Sequence, residues 1–248
     1  MNKNRRKRAA SLALFALLCG TFAVGGLAAC APETPSSGTT GEQSAVNDSE
    51  AISFTSLSET AIADDYAVNG LDKEIDYLLL LDADRLLANF YLNSSLGSNG
   101  STNYGGGWEN GLIGGHTMGH YLTALSQAIA NAGTPEADRT QLTEKLNYIV
   151  SSLAECQTYY DGSRGAQEGF LWGARVVSNS NVEIQFDNVE QGRADINTQA
   201  WVPWYTMHKI IAGLLDAYTL AGNEQALTVV TKLSLIHISE PTRLRCIS

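Results

Sequence analysis

Cysteine is almost absent from this chain, and the four present leave nothing to pair. Cys19 lies in an N-terminal apolar run, Cys30 closes that run, and Cys246 falls in an anomalous C-terminal stretch. Only Cys156 remains in the body of the chain, which excludes an internal disulfide framework there. It sits in "SSLAECQTYY" on a helical pattern and reads as a small buried hydrophobe. Cations are scarce as well. Lys and Arg number 16 against 26 Asp and Glu, a formal net charge of -10. Five of the cations crowd between Lys3 and Arg8, and Arg243 and Arg245 follow Lys232. The stretch from Cys30 to Lys232 therefore keeps nine cations against twenty-five anions, a net of sixteen negative charges. Such a balance excludes nucleic acid or anionic headgroups as partners of a basic patch. It suits a protein that acts on neutral ligands.

What is present begins with the ends. Lys3, Arg5, Arg6, Lys7 and Arg8 precede an apolar stretch from Ala9 to Gly26, the pattern of a secretory signal over residues 1–29. The signal ends in Leu27-Ala28-Ala29-Cys30, the form of a bacterial lipobox, in which the cysteine is lipidated and becomes the new N-terminus. A diacylated, N-acylated Cys30 anchors a protein stably to a membrane, which puts the body of the chain at the bacterial cell surface or elsewhere outside the cytoplasm. Residues 30–52 are rich in Pro, Ser, Thr and Gly and read as a flexible tether. At the other end, "LSLIHISEPTR", Leu233 to Arg243, is the translation of a common transposase sequencing adapter. Residues 233–248 are therefore set apart from the fold, and the natural sequence is expected to continue differently beyond Lys232. His237 and Cys246 then say nothing about function.

Between these ends, residues 53–232 are dominated by helical periods. Leu71, Ile75, Leu78, Leu79, Leu86, Leu87 and Phe90 recur at steps of three and four, which predicts one long helix from Leu71 to about Tyr91. A second begins near Gly115 and runs to about Ala132, a third restarts at Thr134-Pro135-Glu136, and a fourth spans about Trp204 to Leu220. Asn223 caps a fifth. Long loops, 93–114 and 161–202, separate them, and loops of that length in a compact domain are usually functional. Alternation around Ser178 to Asn181 in "RVVSNSNVEIQF" marks a candidate short β-hairpin. The class is all-α, a toroid or solenoid of helix pairs, and the lack of a visible repeat favours the toroid.

Four clusters on loops or helix starts carry chemistry: "YGGGWENG", "GGHTMGH", "GFLWGAR" and "WVPWYTMHK". His116 and His120, four apart, share one helix face. That spacing suits zinc proteases, but no glutamate base lies between the two. Core packing is a second reading, with Gly119 marking close helix contact. Sugar recognition is the third and fits best. Trp108, Tyr205 and their neighbours offer aromatic faces to a sugar ring, while Glu109, His116, His120 and His208 bond hydroxyls. All three readings stay open on the residues alone.

"LLANFYLNSSLG", "YGGGWE", "GGHTMGHYLTALSQA", "LAECQ", "GFL" and "WVPWYTMHKIIAGLLDAY" resemble, in order and spacing, the start of the catalytic domain of the β-L-arabinofuranosidases of glycoside hydrolase families 127 and 146. The resemblance covers about Ser56 to Lys232. It implies an (α/α)6 barrel, here incomplete, and retaining hydrolysis of terminal β-L-arabinofuranose from plant-type glycans. It also implies a cysteine nucleophile that doubles as a zinc ligand, with two further cysteines and a glutamate on the metal. All of these, and the acid/base glutamate, belong to the later half of the barrel. No catalytic residue, metal ligand or cofactor is therefore expected before Lys232, and the chain as it stands is expected to be inactive. His208 matches a sugar-contacting histidine of the family. Trp108, Glu109, His116, His120 and Tyr205 lie in its motifs, with a substrate-binding role that follows from their chemistry. The alternative is a surface-anchored, non-catalytic glycan-binding lipoprotein.

Overall fold

The computed structural model describes residues 55–159, 169–177 and 181–239, with side chains up to residue 234. The signal, Cys30, the tether, residues 160–168, the hairpin tip at Ser178 to Ser180 and the residues after Ser239 lie outside that range. The described residues from Ser53 onward form one compact unit, and it is all-helical: α1 Asp65–Leu80, α2 Ala83–Asn93, the short α3 Gly106–Glu109, α4 His116–Ala130, α5 Glu136–Thr158, the short α6 Ile184–Glu190, α7 Pro203–Thr219 and α8 Glu224–Ser239.

The expected single helix over 71–91 is two helices. Leu81 turns extended, and the Asp82 carboxylate accepts from the backbone N–H of Asp84 at 2.9 Å to start α2. Carbonyls freed at the break need donors, and distant side chains supply them. Lys145 Nζ donates to the carbonyls of Leu79 and Leu81, each at 2.6 Å, and the Tyr121 hydroxyl donates to that of Leu78 at 2.6 Å. Ile75, Leu78, Leu86, Leu87 and Phe90 are buried in the same core, so the apolar period runs across a break that it cannot reveal.

α4 and α5 form one helix pair, joined by a short turn, and α7 and α8 form the next. α4 lies beside α7 in parallel register: Thr206 Oγ1 reaches Ile113 O, and Thr123 Oγ1 donates to Asp216 Oδ2 at 2.7 Å. α5 lies beside α8 in the same sense, with Asn223 Nδ2 on Asn147 Oδ1 and Gln157 Nε2 on the carbonyl of Val229. Pairs side by side, first helix to first and second to second, are the arrangement of an incomplete (α/α)6 barrel. Glycine sets the α4–α7 approach. A Cβ on Gly119 would stand 2.1 Å from the carbonyl oxygen of Lys209, and one on Gly213 2.4 Å from that of Gly119.

α5 buries Leu142, Leu146, Ile149, Val150 and Leu153 completely, as its period predicts. Cys156 continues that stripe, and burial pushes its thiol up to about 12, which makes it inert packing. The Asn223 side chain accepts from the N–H of Ala226 at 2.8 Å and caps α8, which continues from Lys232 to Ser239.

Among the described residues the arms of the candidate hairpin form no strand. Its second arm turns at Asn181, whose Oδ1 accepts from the N–H of Glu183 at 2.8 Å, and then enters α6. Gln185 and Asn188, three apart and both buried, explain the outcome. Gln185 Nε2 donates to Leu112 O at 3.0 Å and Asn188 Nδ2 to Gln199 O at 2.8 Å. Two inward amides at helical spacing outweigh the polar alternation of the arm.

Candidate functional site

The site is built where α4 begins. The backbone must dive beneath the "GFLWG" segment to reach it, and only glycine passes. A Cβ on Gly114 would stand 2.6 Å from the carbonyl oxygen of Glu109, and one on Gly115 2.8 Å from Cα of Gly173. Gly115 also has φ of 88°, a left-handed conformation that other residues rarely adopt. "GFLWGAR" supplies the other side of this contact. Phe170, Leu171 and Trp172 are core residues, held by Asn93 Nδ2, which donates to the carbonyls of Trp172 and Ala174, each at 2.8 Å. Of that motif, Arg175 alone is exposed.

His116 is therefore the first residue of α4, and it is buried. Its Nδ1 lies 2.7 Å from the carbonyl of Ile113. A carbonyl only accepts, so Nδ1 carries a proton, and Nε2 is the ring nitrogen left without a protein partner among the described residues. The Glu109 carboxylate covers the helix start: Oε2 accepts from the N–H of Gly115 at 3.4 Å, Oε1 accepts from the Thr117 hydroxyl, and Oε1 stands 3.8 Å from His116 Nδ1. A carboxylate there satisfies an orphan donor and complements the helix dipole. Glu109 thus holds the site together rather than offering a free oxygen to it.

One turn on, the His120 ring lies 6.0 Å from that of His116, and Tyr205 at the start of α7 closes the group at 6.0 Å from His116 and 6.5 Å from His120. His120 Nε2 and the Tyr205 hydroxyl are 3.2 Å apart. Lys209 Nζ sits 5.1 Å from the centre of the Tyr205 ring. Desolvation by burial, then the charges of Lys209 and His116, lower the His120 pKa below its ordinary 6.5. The imidazole is accordingly neutral at pH 7, with one donor and one acceptor. Trp108, 63% exposed, lies with its ring 5.6 Å from His116 and 6.3 Å from Trp201.

Four of the residues chosen from sequence, Trp108, His116, His120 and Tyr205, thus meet in one ring cluster, and Glu109 braces it. His208 does not join. Tyr205 and Lys209, four apart on α7, turn toward α4, and His208 stands exposed on the flank of that face with no hydrogen-bond or ring partner among the described residues. Beside the cluster, and sharing Trp108 with it, is a pocket of about 420 Å³ lined also by Trp201, Arg175, Ile196 and Asn197. Sequence reasoning marked the motifs of Arg175 and Trp201 but chose neither residue. A cation between apolar motif residues in so acidic a chain was the available clue.

The sequence model described as "Beta-L-arabinofuranosidase, GH127 catalytic domain" matches residues 63–240. The chain belongs to the GH127 family. The matched stretch contains every residue of the cluster and of the pocket. No curated protein sequence matches the chain. GH127 is a family of glycosidases, whose substrates are glycans, and the geometry suits one: exposed indole and phenol faces for a sugar ring, imidazole nitrogens for its hydroxyls. Among the described residues no group of three or more His, Cys, Asp or Glu could hold a metal ion, and His116 Nδ1 is already engaged by Ile113.

Proposed function

We propose that the chain, with its natural continuation beyond Lys232, releases terminal β-L-arabinofuranose, or a related sugar, from plant-type glycans with retention of configuration. The ring cluster of Trp108, His116, His120 and Tyr205 at the start of α4, within a chain of the GH127 family, carries this reading. In it the sugar stacks on Trp108 or Tyr205 and bonds His120 and Nε2 of His116, while Glu109 fixes the helix start. His208, on the same first turns of α7 as Tyr205, contacts the glycan from the flank. A retaining mechanism needs a nucleophile and an acid/base partner on opposite sides of the bond, and the resemblance assigns both, with the zinc ligands, to the sequence after Lys232. The chain as it stands would then bind sugar without turnover. Lipidation at Cys30 would hold the enzyme at the bacterial cell surface, where the membrane is its second partner and polymeric glycans are within reach.

The test is direct. The product of the uninterrupted gene should hydrolyse an aryl β-L-arabinofuranoside, and proton NMR of the first-formed sugar should show the β anomer. Release of the α anomer would refute retention. An inert full-length product that still binds arabinofuranosides would favour the glycan-binding lipoprotein. Exchange of Cys30 for Ser should move the protein from the membrane fraction to the soluble one.

A further inference from the structure

The pocket beside the ring cluster has a chemistry of its own. Its volume, about 420 Å³, falls within the roughly 300–1,000 Å³ of small-ligand sites. Trp108 and Trp201 on its walls offer indole faces to a ring. Arg175 is its unusual member. The whole chain carries a net charge of -10, yet no carboxylate among the described residues lies within ion-pair distance of this guanidinium. The side chain is nonetheless placed. Its backbone N–H donates to Gly111 O at 3.1 Å and its Nη2 to Asn197 O at 2.6 Å, and both partners are pocket walls. One hydrogen bond anchors the guanidinium to a pocket wall, and the remaining N–H donors have no acceptor among the described residues. A planar, anchored guanidinium without an anionic partner fits a carboxylate in a forked pair.

We propose that this pocket is a subsite for an acidic sugar, a hexuronate whose ring lies against Trp108 and Trp201 and whose carboxylate pairs with Arg175. The inference rests on the reading of the ring cluster as a glycan site. Trp108 belongs to both, so the uronate is a neighbour of the sugar held by His120 and Tyr205, and the substrate is a mixed glycan that carries both. The surrounding negative charge repels polyanions in general, so Arg175 selects for one carboxylate in one place.

Titration of the tryptophan fluorescence of the 248-residue chain tests this. The ligands are methyl glucuronide and methyl galacturonide, the methyl ester of each, and separately methyl β-L-arabinofuranoside. At least one uronate should bind tenfold or more tighter than its uncharged ester, with affinity falling as salt rises. Arg175→Gln should lose uronate binding tenfold or more while its far-UV circular dichroism stays that of the parent, and Arg175→Lys should retain part. Equal binding of acid and ester, no uronate binding, or undiminished binding by Arg175→Gln overturns the proposal. Arabinofuranoside binding without uronate binding overturns the pocket alone. Absence of both overturns the reading of the cluster on which it rests.

Discussion

His116 and His120 sit four residues apart on one helix and differ in almost everything else. His116 is buried with its proton pinned to Ile113 O, whereas His120 is exposed and free to trade donor and acceptor roles with Tyr205. The lowered pKa of His120 has causes that can be removed one at a time. Lys209→Met takes away the largest charge effect and should raise that pKa toward 6.5 while leaving the part due to burial; an NMR titration of the histidine rings reads it. The sign for stability follows. The unfolded chain binds the proton more readily, so what neutral His120 contributes is present above about pH 6.5 and is lost as pH falls from there through the lower folded-state pKa. Glu109 gives a second prediction at this scale. Glu109→Gln should lose the charge complement to α4, about 0.3–1 kcal/mol. Glu109→Ala should cost more, about 1–3 kcal/mol, because buried donors go unpaired. Urea denaturation of the two variants separates them, and equal losses would show that the carboxylate acts through its charge alone.

Helices were legible in the sequence where burial is one-sided and long. The stripes of α4, α5 and α7 predict helices that the structure places within a few residues, because local period and tertiary burial agree there. The break at Leu81–Asp82 was not legible, since the groups that satisfy it, Lys145, Tyr121 and the Tyr104 hydroxyl that accepts from Asp82 N–H, arrive from other elements. Nor was α6, whose Gln185 and Asn188 look like surface residues until Leu112 and Gln199 are beside them. Gly119 was read as a mark of close helix contact, and the α4–α7 crossing uses it so. Gly119→Ala forces a Cβ to within 2.1 Å of Lys209 O, which should part the helices and cost on the order of 2–4 kcal/mol. Gly70→Ala, inside α1 with nothing within 4 Å of the new methyl, should instead stabilise by about 0.5–1 kcal/mol. Denaturation midpoints that move the same way for both would contradict the assigned packing.

At the scale of the molecule, the fold explains why the candidate site was only partly visible beforehand. Trp108, His116, His120 and Tyr205 were legible because aromatic and imidazole groups at helix starts are chemically conspicuous. Arg175 and Trp201 become neighbours only when the segments on either side of α6 meet through Arg175 Nη2 to Asn197 O and pack on the loop before α4 through Arg175 N–H to Gly111 O. His208 shows the converse, a residue marked by its motif that the helix carries to the flank. The central claim is that the ring cluster at the α4–α7 entrance holds the sugar on which the enzyme acts. The most direct measurement is kcat/KM of the uninterrupted gene product and its His120→Ala variant on an aryl β-L-arabinofuranoside, with zinc content measured alongside. Loss of a bond to a sugar hydroxyl costs about 1–3 kcal/mol, so the account predicts a fall of roughly tenfold to a hundredfold with zinc content and folding unchanged. Unchanged kcat/KM would contradict it, as would a variant that loses its zinc.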